Sequence, residues 1–106
     1  MSDQDRRRAL NEATFRRVNE EIAELGSAWE MRELRIVCEC GNIDCAEPLT
    51  VSIRGYETAR SDPRTFLVCL GHNDPEIERI VDTRGDHHLV QKIGDAAEPA
   101  IATDPR

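Results

Sequence analysis

Three of the four cysteines fall within eight residues, in Cys38-Glu-Cys-Gly-Asn-Ile-Asp-Cys45, and the fourth stands in Cys69-Leu-Gly-His72. Thiols this close together, with a Cys/His pair downstream, read first as ligands for one metal ion. Thiolate and imidazole are the donors of closed, four-coordinate zinc sites. A chain with this feature must turn sharply near residue 41 and come back to the same point near residue 72.

The local pattern fits that requirement. Residues 34–40 read as a strand in which Ile36, Cys38 and Cys40 share one face, with Arg35, Val37 and Glu39 on the other. Gly41, Asn42 and Asp44 are turn formers that bring Cys45 back towards Cys38 and Cys40. Cys40-Gly41 resembles the second half of a zinc knuckle, where the glycine lets backbone N–H groups face the sulfur. The Cys38-x-Cys40 spacing is one residue shorter than the common C-x2-C.

Five candidates compete for four positions. Cys38, Cys40 and Cys45 are the firm three. His72, just past a strand and after a glycine, is preferred to Cys69, which lies in an apolar run and reads as a small buried hydrophobe. All four cysteines together are an alternative, as is a two-iron iron–sulfur cluster on three Cys and one His. The C-x-C start is shared with small cluster domains of the CDGSH type, but Ala46-Glu-Pro48 follows Cys45 with no histidine close behind. His87 and His88 read as exposed residues near a hairpin turn.

Composition explains why a metal is wanted. Aromatic residues are only 4% of the 106 and charged residues 33%, so the core is thin and gains from a staple. The formal net charge is −7, which argues against non-specific nucleic-acid binding. No apolar run approaches a membrane span. The N-terminus has no secretory apolar stretch, so the chain is read as cytoplasmic. In a reducing compartment the cysteines suggest metal or redox chemistry, with two disulfides as the lesser alternative.

Residues 1–8 read as a flexible N-terminus. Their Arg6-Arg7-Arg8 triplet is a solvated helix start or a contact for an acidic partner. Residues 9–29 read as an amphipathic helix with Phe15, Val18, Ile22, Leu25 and Trp29 along one face and Gly26 as its stop. That stripe packs on the domain's own core, or serves a protein partner or a homodimer. Residues 49–53 are a second strand, and a short helix over 53–61, capped by Ser52, turns Tyr56 inward. Phe66–Leu70 is a third strand; 77–83 and 88–93 pair as a hairpin across Arg84-Gly85-Asp86. Residues 95–106 read as a disordered tail.

The run Val37–Cys45, then Tyr56-Glu57, Asp62-Pro-Arg64, Phe66-Leu-Val68, Gly71-His72, Glu78-Arg-Ile-Val81 and Leu89-Val-Gln-Lys92 resembles a family of small uncharacterised actinobacterial proteins. The helix segment around Phe15–Glu20 resembles that family's N-terminal part, so the likeness spans roughly residues 10–95. The resemblance implies a retained three-cysteine cluster and Gly-His pair, with an apolar residue at the place of Cys69. That favours His72 as fourth ligand. It implies no activity.

The expected fold is therefore α+β: an N-terminal amphipathic helix, then a small zinc-binding domain over 30–94. That domain is a mostly antiparallel sheet with one short inserted helix, stapled by one zinc on Cys38, Cys40, Cys45 and His72. The expected function is a non-catalytic interaction or regulatory module with a structural zinc. The alternatives are a zinc–thiolate redox switch and a metal-dependent hydrolase. Asp44, Glu47, Asp74 and Glu76 could act as bases in the latter, but a solvated acidic surface explains them.

Overall fold

A computed structural model describes residues 2–106. Helix α1 (Asp3–Ala28) is followed by strands β1 (Glu33–Val37) and β2 (Pro48–Ser52), helix α2 (Ile53–Arg60), strands β3 (Thr65–Cys69), β4 (Glu78–Arg84) and β5 (His87–Lys92), and a short helix α3 (Ala97–Ala102). All pairing is antiparallel: β1 with β2 in one sheet, and β3-β5-β4 in a second. The α+β architecture, with a long N-terminal helix and one short helix inserted between strands, is the one expected.

The first turn of α1 is ordered where a flexible end was expected. Ser2 is its N-cap: the Ser2 hydroxyl accepts from the Asp5 amide at 3.1 Å, and the Asp5 carboxylate accepts from the Ser2 amide at 3.3 Å. This reciprocal pair satisfies two otherwise orphaned donors. Gly26 does not stop the helix, which runs on to Ala28. A Cβ at Gly26 would lie 2.3 Å from the Leu34 Cδ2 atom, so the glycine serves close approach to β1.

The face that α1 turns inward is not its apolar stripe. Glu12, Arg16, Asn19, Ala23 and Gly26 are the buried positions. Phe15 and Ile22 are half-buried, whereas Val18, Leu25 and Trp29 are exposed, Trp29 to 78%. Polar burial of this kind requires partners, and all but the Arg16 Nε have them. Arg16 stacks its guanidinium 4.4 Å from the centre of the Phe66 ring and donates to the Pro63 and Ala100 carbonyls, both at 2.7 Å. Asn19 pairs with the backbone of Val37.

Buried apolar side chains form two clusters. One joins Ala23 of α1 to Leu34, Ile36, Leu49, Tyr56 and Leu67. The other joins Cys38, Cys40 and Cys45 to Phe66, Val68 and Val90. On α2, Ser52 caps the Gly55 amide at 2.9 Å and Tyr56 is fully buried. The tail expected to be disordered carries a 3-10 turn at Gly94–Ala96 and α3. It is tied down by Arg16 to Ala100 and by Arg106, which donates to Glu20 and Glu57, each at 2.7 Å.

Candidate metal centre

β1 ends at Val37, and the chain leaves it still extended enough to keep Cys38 and Cys40 buried. The Cys38 amide donates to the Glu47 carbonyl and the Glu39 amide to the Leu67 carbonyl, both at 2.9 Å, so this segment runs against the flank of β3. Gly41 then takes a φ of +82°, a conformation that side chains rarely adopt. A turn follows in which the Cys45 amide donates to the Asn42 carbonyl at 2.9 Å and the Asp44 amide to the Asn42 side chain at 3.0 Å. This reversal returns Cys45 to Cys38 and Cys40.

His72 arrives from the end of β3. Gly71 sits at φ +81°, and the His72 amide donates to the Cys69 carbonyl at 2.9 Å, closing a tight turn. The His72 Nδ1 atom lies 3.6 Å from the Cys38 sulfur and 3.6 Å from the Cys45 sulfur. One donor atom from each of Cys38, Cys40, Cys45 and His72 lies within 4.8 Å of every other, three of them on buried residues. That group could hold a metal ion.

Cys69 lies outside this group. It is the half-buried last residue of β3, packed against both apolar clusters, and its amide donates to the Cys38 sulfur at 3.2 Å. His87 and His88 are also outside it. His87 is buried, not exposed as expected, and its Nδ1 lies 2.9 Å from the Asp86 carboxylate. His88 Nδ1 lies 2.7 Å from the Thr83 hydroxyl.

Electrostatics at the cluster follow from its burial. Burial pushes the Cys38 thiol up, against the amide hydrogen bond from Cys69, and pushes the Cys40 thiol up against the amide of Asn42. Without a cation to balance them these thiols stay protonated. A bound metal ion would displace the protons and stabilise the sulfur charge in their place.

Glu39, between two of the cysteines, is the residue the sequence misplaced. The strand period put it on an outer face, yet its side chain is fully buried. It forms an ion pair with Arg60 of α2, accepts from the Leu67 amide at 2.9 Å, and accepts from Asn19 at 2.7 Å. Arg60 also donates to the Tyr56 hydroxyl at 3.1 Å. The C-x-C segment is thus anchored from below while its sulfurs face the metal group. α1 braces it from above: the Asn11 side chain donates to the Gly41 carbonyl at 3.0 Å, and Arg8 pairs with Asp74 at 3.0 Å, two residues past His72. No feature of the sequence signals Asn19, Glu39 and Arg60 as one network, because their spacing matches no motif.

Comparison of the chain with protein-family models, with curated proteins and with solved structures found no match.

Proposed function

We propose that the chain is a small zinc-binding protein whose metal is structural, and that it works as a non-catalytic interaction or regulatory module in a reducing, cytoplasmic setting. The observation that carries the metal reading is the closeness of four donors from two separate loops. Four ligands at zinc bond lengths in a tetrahedron place sulfur and nitrogen about 3.6 Å apart, the separation found between His72 Nδ1 and both Cys38 and Cys45. A two-iron cluster divides its ligands between two metals and spreads them further than a single ion does. Four protein donors fill a tetrahedral zinc, whereas hydrolytic zinc keeps one position for water. The hydrolase alternative therefore finds no support in this donor set.

The interaction reading rests on α1. Part of its apolar stripe is left outside, with Leu25 63% and Trp29 78% exposed. The stripe has the spacing of a coiled-coil seam, with Glu21 at a flanking position, so a second copy of the chain is the partner it suits. Light scattering that returns only monomer at high protein concentration would remove that partner.

Elemental analysis of protein purified without added metal tests the metal. One equivalent of zinc with no visible absorption is expected, and a coloured, iron-containing protein would overturn the assignment. A strong chelator should lower the melting temperature, because the binding energy of a metal that holds only the folded state adds to stability. A zinc–thiolate redox switch is the second reading, favoured by the extra thiol of Cys69 beside Cys38. It predicts release of zinc by mild peroxide and recovery by reductant; retention of zinc under peroxide sinks it.

A further inference from the structure

Beside the metal group, the first turns of α1 and the Cys40 loop border an open groove of about 690 Å³. One wall is formed by Gln4, Arg7, Arg8 and Asn11, the other by Cys40–Ile43 and His72. The chain carries 21 acidic residues against 14 Lys and Arg, yet none of the residues lining this groove is acidic. The basic triplet of the sequence divides here. Arg6 faces away towards Asp3, at 3.9 Å, while Arg7 and Arg8 line the groove.

These two guanidiniums keep donor capacity. Among the described residues Arg7 has no carboxylate within ion-pair distance, and it is exposed. Arg8 gives its Nη1 to Asp74 and its unpartnered Nε is shielded from water, so its Nη2 is the nitrogen left open to the groove. A guanidinium presents paired N–H groups that match the oxygens of a carboxylate or phosphate. The groove is open, so it suits a small anion held at its surface rather than a ligand buried in a pocket. At its edge Ile43 offers an apolar side chain that is 69% exposed, although it sits in a turn between polar residues.

We propose that this groove binds a small molecule bearing an oxyanion, its phosphate or carboxylate held by Arg7 and Arg8 and its apolar part resting on Ile43. The inference goes beyond the metal reading. It needs the Cys40 loop folded against α1 but no particular metal there. Asn11, already bonded to the Gly41 carbonyl, holds the two walls at a fixed distance.

The test is a nitrogen-15 NMR titration of the full chain as purified, with inorganic phosphate in one series and acetate in another, at fixed ionic strength. Saturable shifts are expected at the amides of Arg7, Arg8 and residues 41–43, with half-saturation at about 1 mM or below. Saturation in one series alone assigns the head group. Arg7→Gln should weaken binding about tenfold, while Arg17→Gln, on an exposed part of the same helix, should leave it unchanged. Linear shifts without saturation in both series, or equal weakening by both substitutions, would overturn the proposal and leave the guanidiniums as counter-charges to the nearby thiolates. Metal content measured on the same samples keeps the two readings apart. Protein that retains its metal and binds neither anion refutes the groove alone; protein that binds an anion without metal refutes the metal alone.

Discussion

Asn19 of α1 pairs with Val37 of β1 as a neighbouring strand would. Its side-chain amide donates to the Val37 carbonyl at 2.7 Å, and its side-chain oxygen accepts from the Val37 amide at 2.9 Å. The helix thereby completes the end of the strand that delivers Cys38. Replacing Asn19 with Ala leaves both backbone groups and one Glu39 oxygen without this partner. Each buried group so abandoned costs about 1–3 kcal/mol, with water recovering some of it. Asn19→Ala is expected to destabilise the fold by about 2–4 kcal/mol in urea unfolding. A loss below about 1 kcal/mol would show that the pairing adds little.

The ion pair of Glu39 and Arg60 is buried on both sides. Removing one partner strands the other charge away from water, at a cost of about 3–5 kcal/mol. Arg60→Met and Glu39→Met should each fall in that range. The double substitution should be less damaging than the sum of the two, because no lone charge then remains. A double-mutant cycle by chemical denaturation measures the difference, and strict additivity would refute the coupling.

Trp29 is the single tryptophan, and it caps the C-terminus of α1 in the open. In the monomer its fluorescence should have the red-shifted maximum of a solvated indole. Trp29→Ala should change stability by no more than about 0.5 kcal/mol, the usual range for exposed positions. Blue-shifted emission that returns to the red on dilution would instead report the second copy covering the stripe.

Asp62 follows α2 and accepts from the Arg64 side chain at 2.9 and 3.1 Å, from the Arg64 amide at 2.9 Å and from Gln91 at 2.9 Å. The Arg64 side chain is the main reason its carboxyl is held down at about 2. A carboxyl depressed in the folded state stabilises above its unfolded value, near 3.8, and loses that stabilisation as pH falls towards 2. After allowance for solvent screening at this surface site the contribution is about 1 kcal/mol. Asp62→Asn should thus lower stability by that amount at neutral pH and converge with the parent chain near pH 2. A difference that does not change with pH would refute the carboxylate's role.

The candidate site and the framework were legible for local reasons. Cys38, Cys40 and Cys45 lie within one strand end and one turn, so spacing alone brings them together, and Gly71 marks the turn that presents His72. The strands, and the Ser52 cap of α2, were visible in short-range patterns. The Ser2 and Asp5 cap was also local and readable, though the polar composition of residues 1–8 concealed it. The order of 95–106 was not readable, since Arg16 and Arg106 hold that segment through residues far away in the chain.

By itself the sequence determined which four candidate donors could meet, and the kinds and order of the elements from α1 to β5. Only the tertiary structure decided which face of α1 points inward, and with it which residues brace the cysteines and which part of the apolar stripe stays bare. Periodicity counts apolar side chains, and it assigns the inward face to the richest stripe. A polar face can be buried instead when each group on it meets a partner. For Asn19 that partner is 18 residues away at Val37, and for Arg16 it is 84 residues away at Ala100. Hydrogen bonds over such separations exist only after the chain has folded.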